Sequence, residues 1–170
     1  MITIIAPGPS MALHAVRPVD IAINMAIATW PADWLASNDP WDAPRKPRLG
    51  VITSDLGERF WRERWPDLII VNARDHYDQG LYFSSESAVL HAQRLAQAAG
   101  KMKIVGRGFD LAGARYYDGT EVFPPDSLRV CFEQPTKAET LAERWRRERA
   151  ALSRLTAAAA RSGITVELSP

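Results

Sequence analysis

Short apolar runs recur along the chain, and between several of them the spacing of apolar residues changes from continuous to helical. Residues 2–5 (ITII), 20–24 (DIAIN), 33–37 (DWLAS), 48–53 (RLGVIT), 67–71 (DLIIV), 101–106 (KMKIVG) and 164–168 (ITVEL) read as strands buried on both faces. The segment SDLGERFWRERW after residue 53 carries Asp55 and Glu58 near its start, as the positive end of a helix favours, and Pro66 stops it. Residues 84–100 open on a serine cap. They then place Ala88, Val89, Ala92, Leu95, Ala96 and Ala99 at helical spacing and leave through Gly100. A last helix over 137–161 carries Leu141, Trp145, Leu152, Leu155 and Ala159 on one stripe and closes on Gly163. Helix followed directly by apolar strand implies parallel pairing. The pattern therefore predicts one α/β domain over residues 1–170: a Rossmann-like three-layer fold with a mainly parallel sheet of about six strands.

Composition narrows the class. With 170 residues, 46% of them hydrophobic and 24% charged, the chain can bury a core of its own. A net charge of +1 gives no global footprint for nucleic acid or membrane. The single cysteine, Cys131, excludes an internal disulfide and a cysteine-rich zinc site. No apolar run approaches the roughly 20 residues that span a bilayer, and no leader is read at the amino terminus, so a cytoplasmic protein is expected. Tryptophans and prolines crowd residues 30–47, which predicts an ordered surface loop. Within 137–161, seven basic residues face three acids. That excess reads first as a solvated helix face and second as a surface for RNA or another anionic partner.

Ligands in parallel sheets bind at the carboxyl ends of the strands. The predicted strand ends here carry Pro7-Gly8-Pro9-Ser10, Asn24, Asn38-Asp39, Thr53-Ser54-Asp55, Asn72, and Gly106-Arg107-Gly108-Phe109-Asp110. Small, amide and carboxylate side chains thus follow strand after strand. A glycine at position 8 suits close approach of the backbone to a ligand. A phosphate-binding P-loop, the dinucleotide fingerprint, a nucleophile elbow and an H-E-x-x-H zinc motif are all absent from the sequence. His91 falls in mid-helix and reads as structural, whereas His14 and His76 fall in loops.

Taken in order, IIAPGPSM, DIAINMA, SSESAVLHAQRLAQAAGKMKIVGRGFDLAG and the terminal GITVELSP resemble the bacterial sialyltransferase clan, glycosyltransferases that use CMP-sialic acid, and its relatives. The relatives include archaeal-type 6-hydroxymethylpterin diphosphokinases and phage-encoded proteins. The resemblance implies that Gly8, Pro9 and Ser10 approach the phosphates or ribose of a nucleotide, and that Asn24 contacts it. Ser84 and Ser85 would form an anion site at a helix start. Gly106, Phe109 and Asp110 match the turn after a later strand, with Asp110 on a ribose or base or orienting the loop. Tyr116 and Tyr117 match phosphate-contacting tyrosines, and Asp39 matches an acid that holds a metal or serves as a polar anchor. Three departures stand against it. Pro7 replaces a residue with a backbone donor, residues 111–140 lack the histidine base of the sialyltransferases, and the chain is shorter than theirs. Nucleotide binding therefore carries over better than sialyl transfer.

The expected function is a nucleotide-dependent, glycosyltransferase-like enzyme whose donor, a nucleotide or nucleotide-sugar, lies across these strand ends. Asp39, Asp55 and His76 are the candidate catalytic bases. A pterin or nucleotide diphosphokinase is the alternative, with Asp39, Asp55, Asp75 and Asp110 around magnesium. A nucleotide-binding module without catalysis, of the kind a phage accessory protein supplies, is the other.

Overall fold

A computed structural model describes residues 1–73, 83–113, 115–119 and 141–170 of the chain. Its seven strands are β1 (Ile2–Ile5), β2 (Val19–Ile23), β3 (Ala32–Ala36), β4 (Gly50–Thr53), β5 (Ile69–Asn72), β6 (Lys103–Arg107) and β7 (Thr165–Leu168). All pair in parallel in one sheet of order β5-β4-β3-β2-β1-β6-β7. The fold is thus the α/β three-layer arrangement that the apolar runs predict. Every run of the sequence became a strand, so the sheet has seven strands where about six were expected.

Among the described residues three α-helices, α1 (Asp55–Arg64), α2 (Ser84–Ala98) and α3 (Leu141–Arg161), cover the sheet. Residues alternate across each strand, and the two faces collect separate cores. Ile4, Ile21, Ile23, Trp34 and Ile52 pack with Ala88, Val89, Ala92 and Ala96 of α2 and with Leu152, Leu155 and Ala159 of α3. On the opposite face Ile5, Ala22, Leu35 and Val51 pack with Met11, Ile27, Trp30 and Trp61. The exits at Gly100 and Gly163 have φ of +61° and +74°, which glycine adopts without a Cβ penalty.

The first two crossovers hold no α-helix. They turn through short 3-10 helices at Pro9–Leu13 and Asn24–Ala28, too short to show a period in the sequence. The loop expected over 30–47 gives up part of its length to β3, and its tryptophans face inward, Trp30 being 2% and Trp34 8% exposed. Among the described residues no helix is long and apolar enough to cross a membrane.

From β1 the chain steps outward to β5, and α2 then carries it back to β6 on the other flank of β1. The order of the strands reverses between β1 and β6. Above their carboxyl ends the two connections diverge, and in such sheets that is where a crevice opens.

Candidate functional site

The two strands at this reversal end in loops that grip one another. The Ala6 amide donates to the Arg107 carbonyl at 2.8 Å and the Gly8 amide to the Gly108 carbonyl at 3.0 Å. Asp110 then accepts from the Ser10 amide at 3.3 Å and from the Ser10 hydroxyl at 2.8 Å. A Cβ on Gly8 would lie 1.9 Å from Asp110 Oδ2 and 2.2 Å from the Gly108 carbonyl oxygen. Position 8 therefore lacks a side chain because the β6 loop occupies that space, whereas the sequence suggested clearance for a ligand. Ser10 and Asp110 spend their polar groups on each other. Gly106 lies within β6, where a Cβ would meet the Phe109 ring at 2.5 Å and Leu168 at 2.6 Å, so it lets Phe109 fold back over the strand.

Beside this junction lies a solvent-open cleft with about 50 Å³ of space accessible to water-sized molecules. Its lining includes the turn Ala6–Pro9, Asn24, the first residues of α2, the segment after β6, and Arg144, Trp145 and Glu148 of α3. Gly8, Pro9, Asn24, Ser84, Ser85 and Tyr116, all predicted from the sequence, meet here. Two of the residues around it hold backbone conformations that side chains disfavour: Asn24 has φ +45° and Leu111 φ +46°. Asparagine tolerates this region, but a leucine in it is an outlier whose strain the surroundings must hold. Helix α3 supplies that restraint, because Arg149 Nη1 donates to the Leu111 carbonyl at 2.7 Å and Trp145 Nε1 to the Gly113 carbonyl at 3.0 Å.

The start of α2 is buried rather than open. Phe83, not Ser84, is its cap, and its amide donates to Glu86 Oε2 at 3.0 Å. The serine hydroxyls have other partners: Ser84 Oγ accepts from the Asn38 amide at 3.0 Å, Ser87 Oγ donates to Asn38 Oδ1 at 2.9 Å, and Ser85 Oγ donates to Glu148 Oε1. The expected anion site at Ser84 and Ser85 is therefore already faced by one of the protein's own carboxyls.

Glu148 is 6% exposed, and burial pushes its carboxyl above the usual glutamate range. The Ser85 hydrogen bond and the nearby Arg144 guanidinium oppose that rise, while the Glu86 carboxylate adds to it. The sequence reading did not pick out Glu148, yet a signal was present. The stripe 145, 152, 155, 159 has a gap at 148 where the helical spacing calls for a core residue, and a carboxylate fills it. A raised carboxyl favours folding while it is protonated; that contribution is complete below the ordinary glutamate pKa and is lost as pH rises through the folded value. Glu148→Gln should therefore match the wild type in acid and melt higher at neutral pH, by roughly 2 °C or more, in a pH series of thermal unfolding curves. Equal melting temperatures across the series would show that burial exerts no such cost.

The other predicted residues that the structure describes lie apart from the cleft. Tyr117 packs edge-on to Trp30 at 5.0 Å, donates to the Met25 carbonyl at 3.1 Å and shares a 2.9 Å hydrogen bond with Thr29 Oγ1. It thereby pins the 3-10 turn after β2, and burial raises its phenol pKa. Asp55 opens α1 and accepts from Asn72 Nδ2 at 2.7 Å. Asp39 is half-buried beyond the end of β3. His76 and Asp75 lie outside the described residues, as do 137–140 at the start of the predicted basic helix. In α3, Arg144 and Arg147 stand 5.2 and 5.7 Å from the centre of the Phe83 ring, so part of the basic excess serves the cleft wall.

A magnesium site built on Asp39, Asp55 and Asp110 does not fit. The strands that lead into Asp55 and Asp110, β4 and β6, are four steps apart in the sheet, about 19 Å at the usual strand spacing. Among the described residues no three of His, Cys, Asp and Glu converge as metal ligands would. No family model, curated protein or solved structure matches this chain.

Proposed function

We propose that this protein is a nucleotide-dependent transferase, glycosyltransferase-like in its donor, and that the donor occupies the cleft beside β1 and β6. The observation that carries this reading is the joint placement of Arg115 and Arg144 with Tyr116 and Trp145 around one cleft at the reversal of strand order. Guanidinium groups match phosphate oxygens in charge and geometry, and aromatic faces match a base or sugar ring. Catalysis on such a scaffold comes mainly from orientation and from stabilising the departing phosphate. The separated carboxylates favour this reading over a metal-dependent diphosphokinase.

Thermal unfolding with CMP, UDP, GDP, ATP and pterins, each with and without magnesium, tests it. A nucleotide present at 100 times its Kd contributes about 2.7 kcal/mol, and so an upward shift of roughly 5–10 °C. The shift should not depend on magnesium. Arg115→Ala removes an exposed guanidinium from the rim and should weaken nucleotide affinity about tenfold by calorimetry, or about 1.4 kcal/mol, with little change in the unliganded melting temperature. If none of these compounds shifts the wild type, the reading fails.

A further inference from the structure

We propose that Glu148 is the general base of this transfer, taking the proton of an acceptor hydroxyl as that oxygen attacks the donor held in the cleft. The inference rests on the transferase reading above. It begins from a cost: a stripe position that would stabilise α3 with an apolar side chain instead buries a carboxyl. Proteins accept such costs at functional sites more readily than elsewhere.

Geometry gives the carboxyl something to do. Its Oε1 is fixed by the Ser85 hydroxyl, while its Oε2 accepts no hydrogen bond from a described residue, and the side chain borders the cleft. The groups around it can be named element by element. Among the described residues, Ser85 and Glu86 of α2 and Arg144 of α3 act on it, Glu86 being bonded to the Phe83 amide; Arg115 and Tyr116 of the segment after β6 line the same cleft, and the turn after β1 brings no charge. Burial makes the ionised carboxylate a stronger base than one in water, and the arginine keeps an ionised fraction available.

In the reaction the acceptor oxygen, from a hydroxyl compound or water, forms a bond to the transferred carbon of the donor. The bond from that carbon to the nucleotide phosphate breaks, and its electron pair leaves with the phosphate. The acceptor proton passes to Glu148 Oε2.

The test uses the whole chain and water as acceptor. Binding of CMP, UDP and GDP is measured first by calorimetry. Release of nucleotide from CMP-N-acetylneuraminate, UDP-glucose and GDP-mannose is then followed from about pH 5 to about pH 9. In the wild type, release should rise with pH through an apparent pKa above the ordinary glutamate value. Glu148→Gln should bind nucleotide within about twofold of wild type, lose about 10²–10⁴ in kcat, and lose the acid limb. Glu148→Asp should recover part of the rate and restore a limb, which a purely structural tie between α2 and α3 would not require; it also stands in should the glutamine variant fail to fold. A glutamine variant with wild-type kcat and an unchanged acid limb overturns the proposal. So does a wild type that binds nucleotide but releases none from any of the three donors, an outcome that leaves the binding reading standing. If no nucleotide binds, both readings fall together.

Discussion

Gly8→Ala should destabilise the protein by about 3 kcal/mol or more and lower its melting temperature by roughly 6–12 °C. One methyl group has this effect because of what it meets. The new Cβ would lie 2.2 Å from the Gly108 carbonyl, which is backbone, and 1.9 Å from Asp110 Oδ2. The carboxylate can swing aside, but it then releases the Ser10 amide and hydroxyl. The carbonyl cannot move without opening the hydrogen bond it accepts from the Gly8 amide, which ties β1 to β6. Loss of nucleotide binding in this variant would follow from the damaged junction rather than from a filled phosphate site. A double-variant cycle separates the two collisions. Removing the carboxylate as well, in Gly8→Ala/Asp110→Ala, should cost less than the sum of the single changes by about 1 kcal/mol, because the second change removes one of the collisions created by the first. Denaturation midpoints measure both effects, and a wild-type midpoint for Gly8→Ala would refute the close approach.

The same junction shows where the sequence was legible. Parallel strands buried on both faces must be apolar along their length, so ITII, RLGVIT and KMKIVG stood out before any pairing was known. The identity of a strand's neighbour leaves no such local mark. Ser10 and Asp110 are 100 residues apart and meet only because β6 inserts beside β1. A glycine after a strand therefore reads equally well as room for a ligand or as room for the protein's own loop. Local rules misassigned the start of α2 for a related reason. Serine is a favoured cap, but here the helix start is buried against Asn38 and Glu148, and their groups compete successfully for the hydroxyls. Of the residues expected at the ligand site, Gly8, Pro9, Asn24, Ser84, Ser85 and Tyr116 line the cleft. Asp39 and Asp55 followed the rule that strand ends carry function, yet β3 and β4 end away from the reversal of strand order.

Leu155→Ala should cost about 2–5 kcal/mol, the range for removing a buried leucine side chain where the surroundings cannot fully collapse. Leu155 is 2% exposed and packs α3 into the core shared with Ile104, Ile164 and α2. It stands two turns beyond Glu148 on the same stripe, so the packing that supports it also seats the carboxyl at the cleft. The change should thus be visible at a distance from the cavity it creates. As α3 loosens, Glu148 gains water and its pKa falls back toward the ordinary glutamate value, because burial is the main cause of its elevation. The acid limb of nucleotide release should therefore move to lower pH in Leu155→Ala, and the gain in stability that Glu148→Gln brings at neutral pH should shrink in the double variant. Leu155→Met, which conserves volume, should cost less than about 1.5 kcal/mol and leave the limb in place. An alanine variant destabilised as expected but with an unmoved acid limb would show that the seat of Glu148 is independent of this packing, with its burial fixed by Ser85 and the cleft wall alone.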